Sequence, residues 1–208
     1  MVNVTNFQAE ETPVDILEKI FEKQQELMDL YGTKPVWEDI DTLKGAQEIR
    51  KYSKYATEEL AEAYDSYCEH WYILEIHTHE ELIDALHFYI EKLMISNLTY
   101  QKILYYNWFT DSESLWKYID SIEHTTLSVE SSLWFATHWI NIPDNRLRNK
   151  ERKKEQIPTN RNLFYKENSL WFIQFLVSMK ELGLTKELLW EYYSKKNQVN
   201  HFRINSNY

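Results

Sequence analysis

The chain has 208 residues, only three glycines and four prolines, and a formal net charge of -10. So few chain-breaking residues exclude a sheet built from many short strands, and the acidic balance excludes a protein that grips a long nucleic acid by its phosphates. Fifteen Tyr, nine Phe and eight Trp predict an aromatic core, and the length suits one domain, 1–208.

A first helix is predicted from Thr12-Pro13, a cap followed by a first-turn proline, to Gly32. Ile16, Leu17, Ile20, Phe21, Leu27, Met28 and Tyr31 recur at three and four, which leaves Gln24 among them as a polar residue on the inward face. After the loop at Lys34-Pro35, a second helix is expected from about Leu43 to about Tyr72, with Ile49, Tyr52, Ala56, Leu60, Ala63 and Tyr67 as its buried stripe. A third opens at Thr78 and continues to about Ser96 through Leu82, Ala85, Leu86, Tyr89 and Leu93. Shorter tryptophan-rich helices follow, one starting near Asp111-Ser112 and one near Ser128. From Asn141 to Asn162 the chain is rich in lysine and arginine, carries two prolines and has few apolar residues, so a mobile basic loop is predicted. Two last helices, about Leu163 to Leu182 and about Thr185 to Arg203, break at Gly183. The expected fold class is all-α: a helical bundle with a helical insertion at about 108–162.

TEELAEAYD in the second helix places Glu59 and Glu62 three apart, and HEELIDALHF in the third does the same for Glu81 and Asp84. Residues at that spacing share a helical face, so each helix offers a carboxylate pair within reach of one ion. On a helical wheel both pairs fall at the edge of the buried stripe. Several acids at a core margin are costly to desolvate, and a shared cation is one of the few arrangements that makes them tolerable together. Oxygen donors without cysteine or clustered histidine favour Mg2+, with Mn2+ as a substitute, and the implied reaction is attack of a metal-activated water on phosphorus. The bland alternative is a solvated acidic face, with Thr78 and Glu81 acting only as a capping box.

Together these residues resemble the dimeric, all-α dUTPase family, which is related to the MazG-type nucleoside triphosphate pyrophosphohydrolases. IFEKQQEL resembles the family's first helix with its glutamine near the base pocket, here Gln24. EELAE and EELIDALHF are similar to its E-x-x-E and E-x-x-D metal motifs, and Lys196, Asn197, Asn200 and Arg203 match its terminal K-N-x-x-N-x-x-R pattern. The likeness spans most of the chain but not its middle, and the abbreviated, glycine-poor form resembles phage versions. It implies a homodimer that converts dUTP to dUMP and pyrophosphate, with Glu59, Glu62, Glu81 and Asp84 on the metal and Glu59 orienting the attacking water. Gln24 and Asn200 would read the base, and Lys196 and Arg203 would hold phosphates. Lys196, Asn200 and Arg203 also lie four and three apart, on one helical face. A sister activity on dCTP or another nucleotide, or a nucleotide-binding protein that has lost turnover, remains an alternative.

The chain departs from the family in two places. CEHWYILEIHTH keeps Trp71 but lacks the lysine of the family's F-K-x-W-K stretch, and the end reads RINSNY where R-Q-D-x-G-Y is usual. The loop from Arg146 to Lys154 is read as solvated, with a cation-supplying lid as the alternative. His70, His77 and His79 are read as solvated rather than as a zinc cluster, and His87 as a core-edge or supporting partner. A single cysteine, Cys68, excludes an intrachain disulfide. Without a leader-like start or an apolar span, a soluble cytoplasmic protein is expected.

Overall fold

Asp15, not Thr12, starts the first helix. In the computed structural model, which describes residues 7–8, 10–71, 73–122, 128–151, 154–155 and 157–206, Asp15 is extended and its carboxylate accepts the Glu18 amide at 3.0 Å. The Tyr100 hydroxyl donates to the other carboxylate oxygen at 2.6 Å, so a long-range contact fixes the cap where local sequence pointed further upstream. Helix α1 (Ile16–Tyr31) ends where expected, because Gly32 takes the left-handed conformation with φ 67° that closes a helix at low steric penalty.

Helix α2 (Leu43–Glu69) opens with the Thr42 hydroxyl accepting the Gly45 amide. A Cβ at Gly45 would lie 2.1 Å from the Asp39 carbonyl oxygen, so the preceding 3-10 turn, Trp37–Asp39, packs directly on helical backbone. The chain reverses through Trp71, itself at φ 58°, and helix α3 (Ile76–Ile95) begins two residues before Thr78. The Thr78 hydroxyl is buried 3.1 Å from that of Ser66 on α2. Thr78 and Glu81 therefore do not form a capping box, and the Glu81 carboxylate is left for other work.

Helices α4 (Tyr100–Tyr106), α5 (Ser112–Ser121) and α6 (Val129–Asn141) follow, the last two capped by Asp111 and Ser128 as their sequences predict. A 3-10 turn at Ile142–Arg146 leads towards α7 (Arg161–Glu181), and Gly183 separates that helix from α8 (Lys186–Asn205). The α2/α3 hairpin is the most extensive pairing; α1 and α8 pack on one side of it, and α6 packs on α2 and α7. The main core joins α1, α2, α3 and α7 through Leu17, Leu60, Leu86 and Phe172. Among the described residues there is no strand, and no helix is long and apolar enough to cross a membrane. Trp116 is buried and Trp139 stacks on Trp171 at 4.5 Å, whereas Trp108 and Trp134 are exposed.

The basic segment is anchored at both ends. Arg50 donates to the Leu147 and Asn149 carbonyls, Asn149 and Thr159 bond to Asp41, and Arg161 pairs with Asp41 at 2.8 Å. Further in, Lys92 of α3 is fully buried and meets Asp144 of the 3-10 turn at 2.7 Å and the Ile140 carbonyl at 2.6 Å. Tyr72, Arg152, Lys153, Gln156 and the end of the terminal tail at Asn207-Tyr208 lie outside the described residues.

Candidate active site

The facing stripes of α2 and α3 bring three of the four expected acids together. Glu59, Glu62 and Glu81 each offer an oxygen within 4.8 Å of the others. Glu59 is half-buried, Glu62 exposed and Glu81 buried, so the group sits at the rim of the core. Burial, followed by the charges of Asp84, Glu62 and Glu81, pushes the Glu59 carboxyl up to about 8, and a hydrogen bond to Glu81 adds to the effect. Glu81 is raised mainly by burial and is met by His77 at 3.1 Å.

Asp84 lies one turn further along α3 and is handled differently. Its carboxylate is paired with the Lys196 ammonium of α8 at 2.5 Å. Burial still raises it, while Lys196 and then Arg203 act in the opposite direction. Lys196 is thus an internal counter-ion to one of the acids, and Arg203, two turns along α8, remains exposed. Glu80, which the spacing did not single out, is half-buried and feels both Lys196 and Asp84.

A cavity of about 470 Å3 opens beside these acids and collects residues from four helices. Glu59 and Asp84 stand at one end, Gln24, His87, Asn200 and Arg203 also line it, and Tyr52 and Glu91 lie farther along α2 and α3. Gln24 is 3% exposed, and its carbonyl accepts from His87 Nδ1 at 2.7 Å and from the Tyr193 hydroxyl at 3.1 Å. The His87 ring stacks on Tyr193 with centroids 4.3 Å apart. Burial holds His87 down to about 3, so the ring is neutral; with Nδ1 donating to Gln24, Nε2 is an acceptor, and it has no hydrogen-bond partner. Gln24 and His87 thus bring a side-chain amide and a ring acceptor without a partner to the wall of the cavity.

Tyr193 and Glu91 were not assigned to the site by sequence reasoning, and His87 was read there only as a core-edge or supporting partner. For His87 and Glu91 the signal was present on α3: Asp84, His87-Phe88 and Glu91 follow at three, four and seven, which extends the row begun by Glu81 and Asp84 along one face. The histidines at 70, 77 and 79 do not converge. His70 bonds to the Ser66 carbonyl, His77 approaches Glu81, and His79 bonds to the Leu182 carbonyl. The described part of the basic segment lies elsewhere, since Arg146 is held by Glu167 at 2.7 Å and the Arg50, Lys54, Glu58 and Ala61 side of α2 lines a separate cavity with Asp144.

The donor set fits a hard divalent cation. Three carboxylates at this spacing need only small side-chain adjustments to share an octahedral ion, and none of the donors is sulfur. In comparison with known proteins, a family model described as dUTPase matches residues 16–208. No curated protein and no solved structure matches the chain.

Proposed function

The chain belongs to that dUTPase family, and from this premise we propose that it is a magnesium-dependent diphosphatase converting dUTP to dUMP and pyrophosphate. The observation that carries the reading is the convergence of Glu59, Glu62 and Glu81 beside a cavity whose wall continues through Gln24, His87, Asn200 and Arg203. Glu59, Glu62, Glu81 and Asp84 would hold magnesium, or manganese in its place. The ion would supply positive charge against the phosphate chain and lower the pKa of a water.

The remaining work falls to the protein. Glu59 belongs to the acidic trio and also lines the cavity, so it takes the role of orienting the water and accepting its proton. Water oxygen attacks the α-phosphorus, the bond to the bridging oxygen of the β-phosphate breaks, and pyrophosphate departs. Arg203 offers a planar donor fork to phosphate oxygens. Lys196 serves there once Asp84 has another cation. Gln24, backed by His87 and Tyr193, presents its amide to the base, with Asn200 across the cavity. A homodimer completes the proposal, and exposed Trp108 and Trp134 provide aromatic surface for such a contact.

The test is pyrophosphate release by purified protein with magnesium and each deoxynucleoside triphosphate in turn. dUTP is expected to be the preferred substrate, Glu59→Gln to lose about 10²–10⁴-fold in turnover, and Glu62→Ala or Asp84→Ala to abolish turnover with the helical signal intact. Full activity in those variants overturns the site. No release from any nucleotide, with Glu59→Gln leaving ligand binding unchanged, points to a binding protein.

A further inference from the structure

Glu91 is an unexpected acid for this cavity. It is only 9% exposed, lines the same cavity as Glu59 and Asp84, and sits at the end where Leu27, Tyr31, Thr33 and Tyr52 close the wall. The Thr33 hydroxyl donates to its Oε1 at 3.3 Å, and Tyr52 also hydrogen-bonds to it. A carboxyl group has about four lone-pair sites, so two such partners leave capacity for a third. Glu91 lies seven residues beyond Asp84 on α3, and Tyr52 seven before Glu59 on the antiparallel α2. At 1.5 Å per residue, both stand roughly 10 Å from the acids that face the phosphates. His87 and Phe88 fall between, so a nucleotide held by its α-phosphate among the acids, with its base at His87, turns the far edge of that base towards Glu91.

Resting on the diphosphatase reading, we propose that Glu91 is a specificity-determining residue that meets position 4 of the pyrimidine. A protonated carboxyl donates to the 4-oxo group of uracil. The carboxylate accepts from the 4-amino group of cytosine and repels a carbonyl. Burial raises Glu91 to about 7, against the contrary pull of Thr33, Lys51 and Tyr52, so the two forms exchange near neutrality. The other groups around this end keep their charge there. Tyr31, Tyr52 and Tyr193 are raised and stay neutral, Lys51 is raised and stays cationic, and His87 is neutral; Arg203 also lines the cavity.

The experiment measures the ratio of kcat/KM for dUTP to that for dCTP between pH 6 and pH 8. Titration of the metal-site acids acts on both substrates and cancels in the ratio. The wild-type ratio is expected to fall about a hundredfold, following the ratio of protonated to ionised Glu91, because dUTP is served by the first form and dCTP by the second. Glu91→Gln, always neutral and able to keep the Thr33 and Tyr52 contacts, is expected to give a ratio independent of pH. A flat wild-type profile, or a Glu91→Gln profile that keeps the wild-type slope, overturns the proposal. Binding of the α,β-imido analogues of both nucleotides with magnesium reads the same ratio without chemistry. Binding without cleavage of the natural substrates would therefore sink the hydrolase reading and still decide Glu91, and binding of neither analogue overturns both.

Discussion

Lys196 on α8 and Asp84 on α3 form an ion pair of 2.5 Å at the margin of the acidic trio. The ammonium neutralises the one acid that the other three do not include, and it is drawn from the helix that carries Asn200 and Arg203. Under the proposed function, cation binding at Asp84 and release of Lys196 towards a phosphate would therefore be one exchange.

Removing Lys196 exposes this exchange. Lys196→Met leaves Asp84 without a partner and is expected to lower stability by about 1–3 kcal/mol in chelator. Magnesium should then raise the melting temperature of the variant more than that of wild type, since no internal cation has to be displaced. Differential scanning fluorimetry with and without magnesium checks this. Equal magnesium shifts in the two proteins would show that Lys196 does not compete.

The raised carboxyl of Glu59 sets the pH response. Its native value of about 8 exceeds the ordinary 4.5, so between those limits the folded chain binds more protons than the unfolded one. The associated stability is fully present below about pH 4.5 and is lost as pH rises through about 8. Melting temperature in chelator is expected to fall over that range, less steeply for Glu59→Gln. Magnesium binding at pH 7 should also release protons, visible as a dependence of the binding enthalpy on the ionisation enthalpy of the buffer.

Gln24 is an acceptor for two buried donors. Gln24→Met leaves His87 Nδ1 and the Tyr193 hydroxyl without that acceptor, although Tyr193 keeps the Ile20 carbonyl at 3.1 Å. A loss of about 1–3 kcal/mol in denaturant unfolding is expected. Selectivity among deoxynucleotides should weaken as well, because the freed ring can turn. A variant as stable and as selective as wild type would remove Gln24 from both roles.

The Lys92–Asp144 pair gives a further prediction. Asp144→Ala leaves an ammonium that is fully buried without its carboxylate, with an expected penalty of about 3–5 kcal/mol. Lys92→Met combined with Asp144→Ala should recover most of the loss. Chemical denaturation of the two variants measures both numbers.

Much of this arrangement was legible in the residues themselves. The three-residue spacing of Glu59/Glu62 and Glu81/Asp84, set beside clear apolar stripes, was enough to place two acid pairs on facing helices. Gly32 and Gly183 marked helix ends for a backbone reason that operates locally. Asp15 could not be chosen over Thr12 in the same way, because Tyr100 makes the choice from another part of the chain. The pairing of Lys196 with Asp84 was hidden for a similar reason: each was assigned to an absent ligand, while the fold puts them next to each other. Glu91 and His87 were readable as a continuation of the Asp84 row, but a search for apolar stripes passes over polar members of a buried face. The anchoring of the basic segment depends on Asp41 and Arg50, and no local pattern in the segment announces them.

The ammonium of Lys92 also makes the middle of the chain hard to prune. An engineer who trimmed the stretch around Asp144 to obtain a smaller scaffold would strand a positive charge beneath α3, on the helix that carries Glu81, Asp84, His87 and Glu91. Any shortened version must replace Lys92 with an apolar side chain at the same time, or lose α3 along with the excised piece.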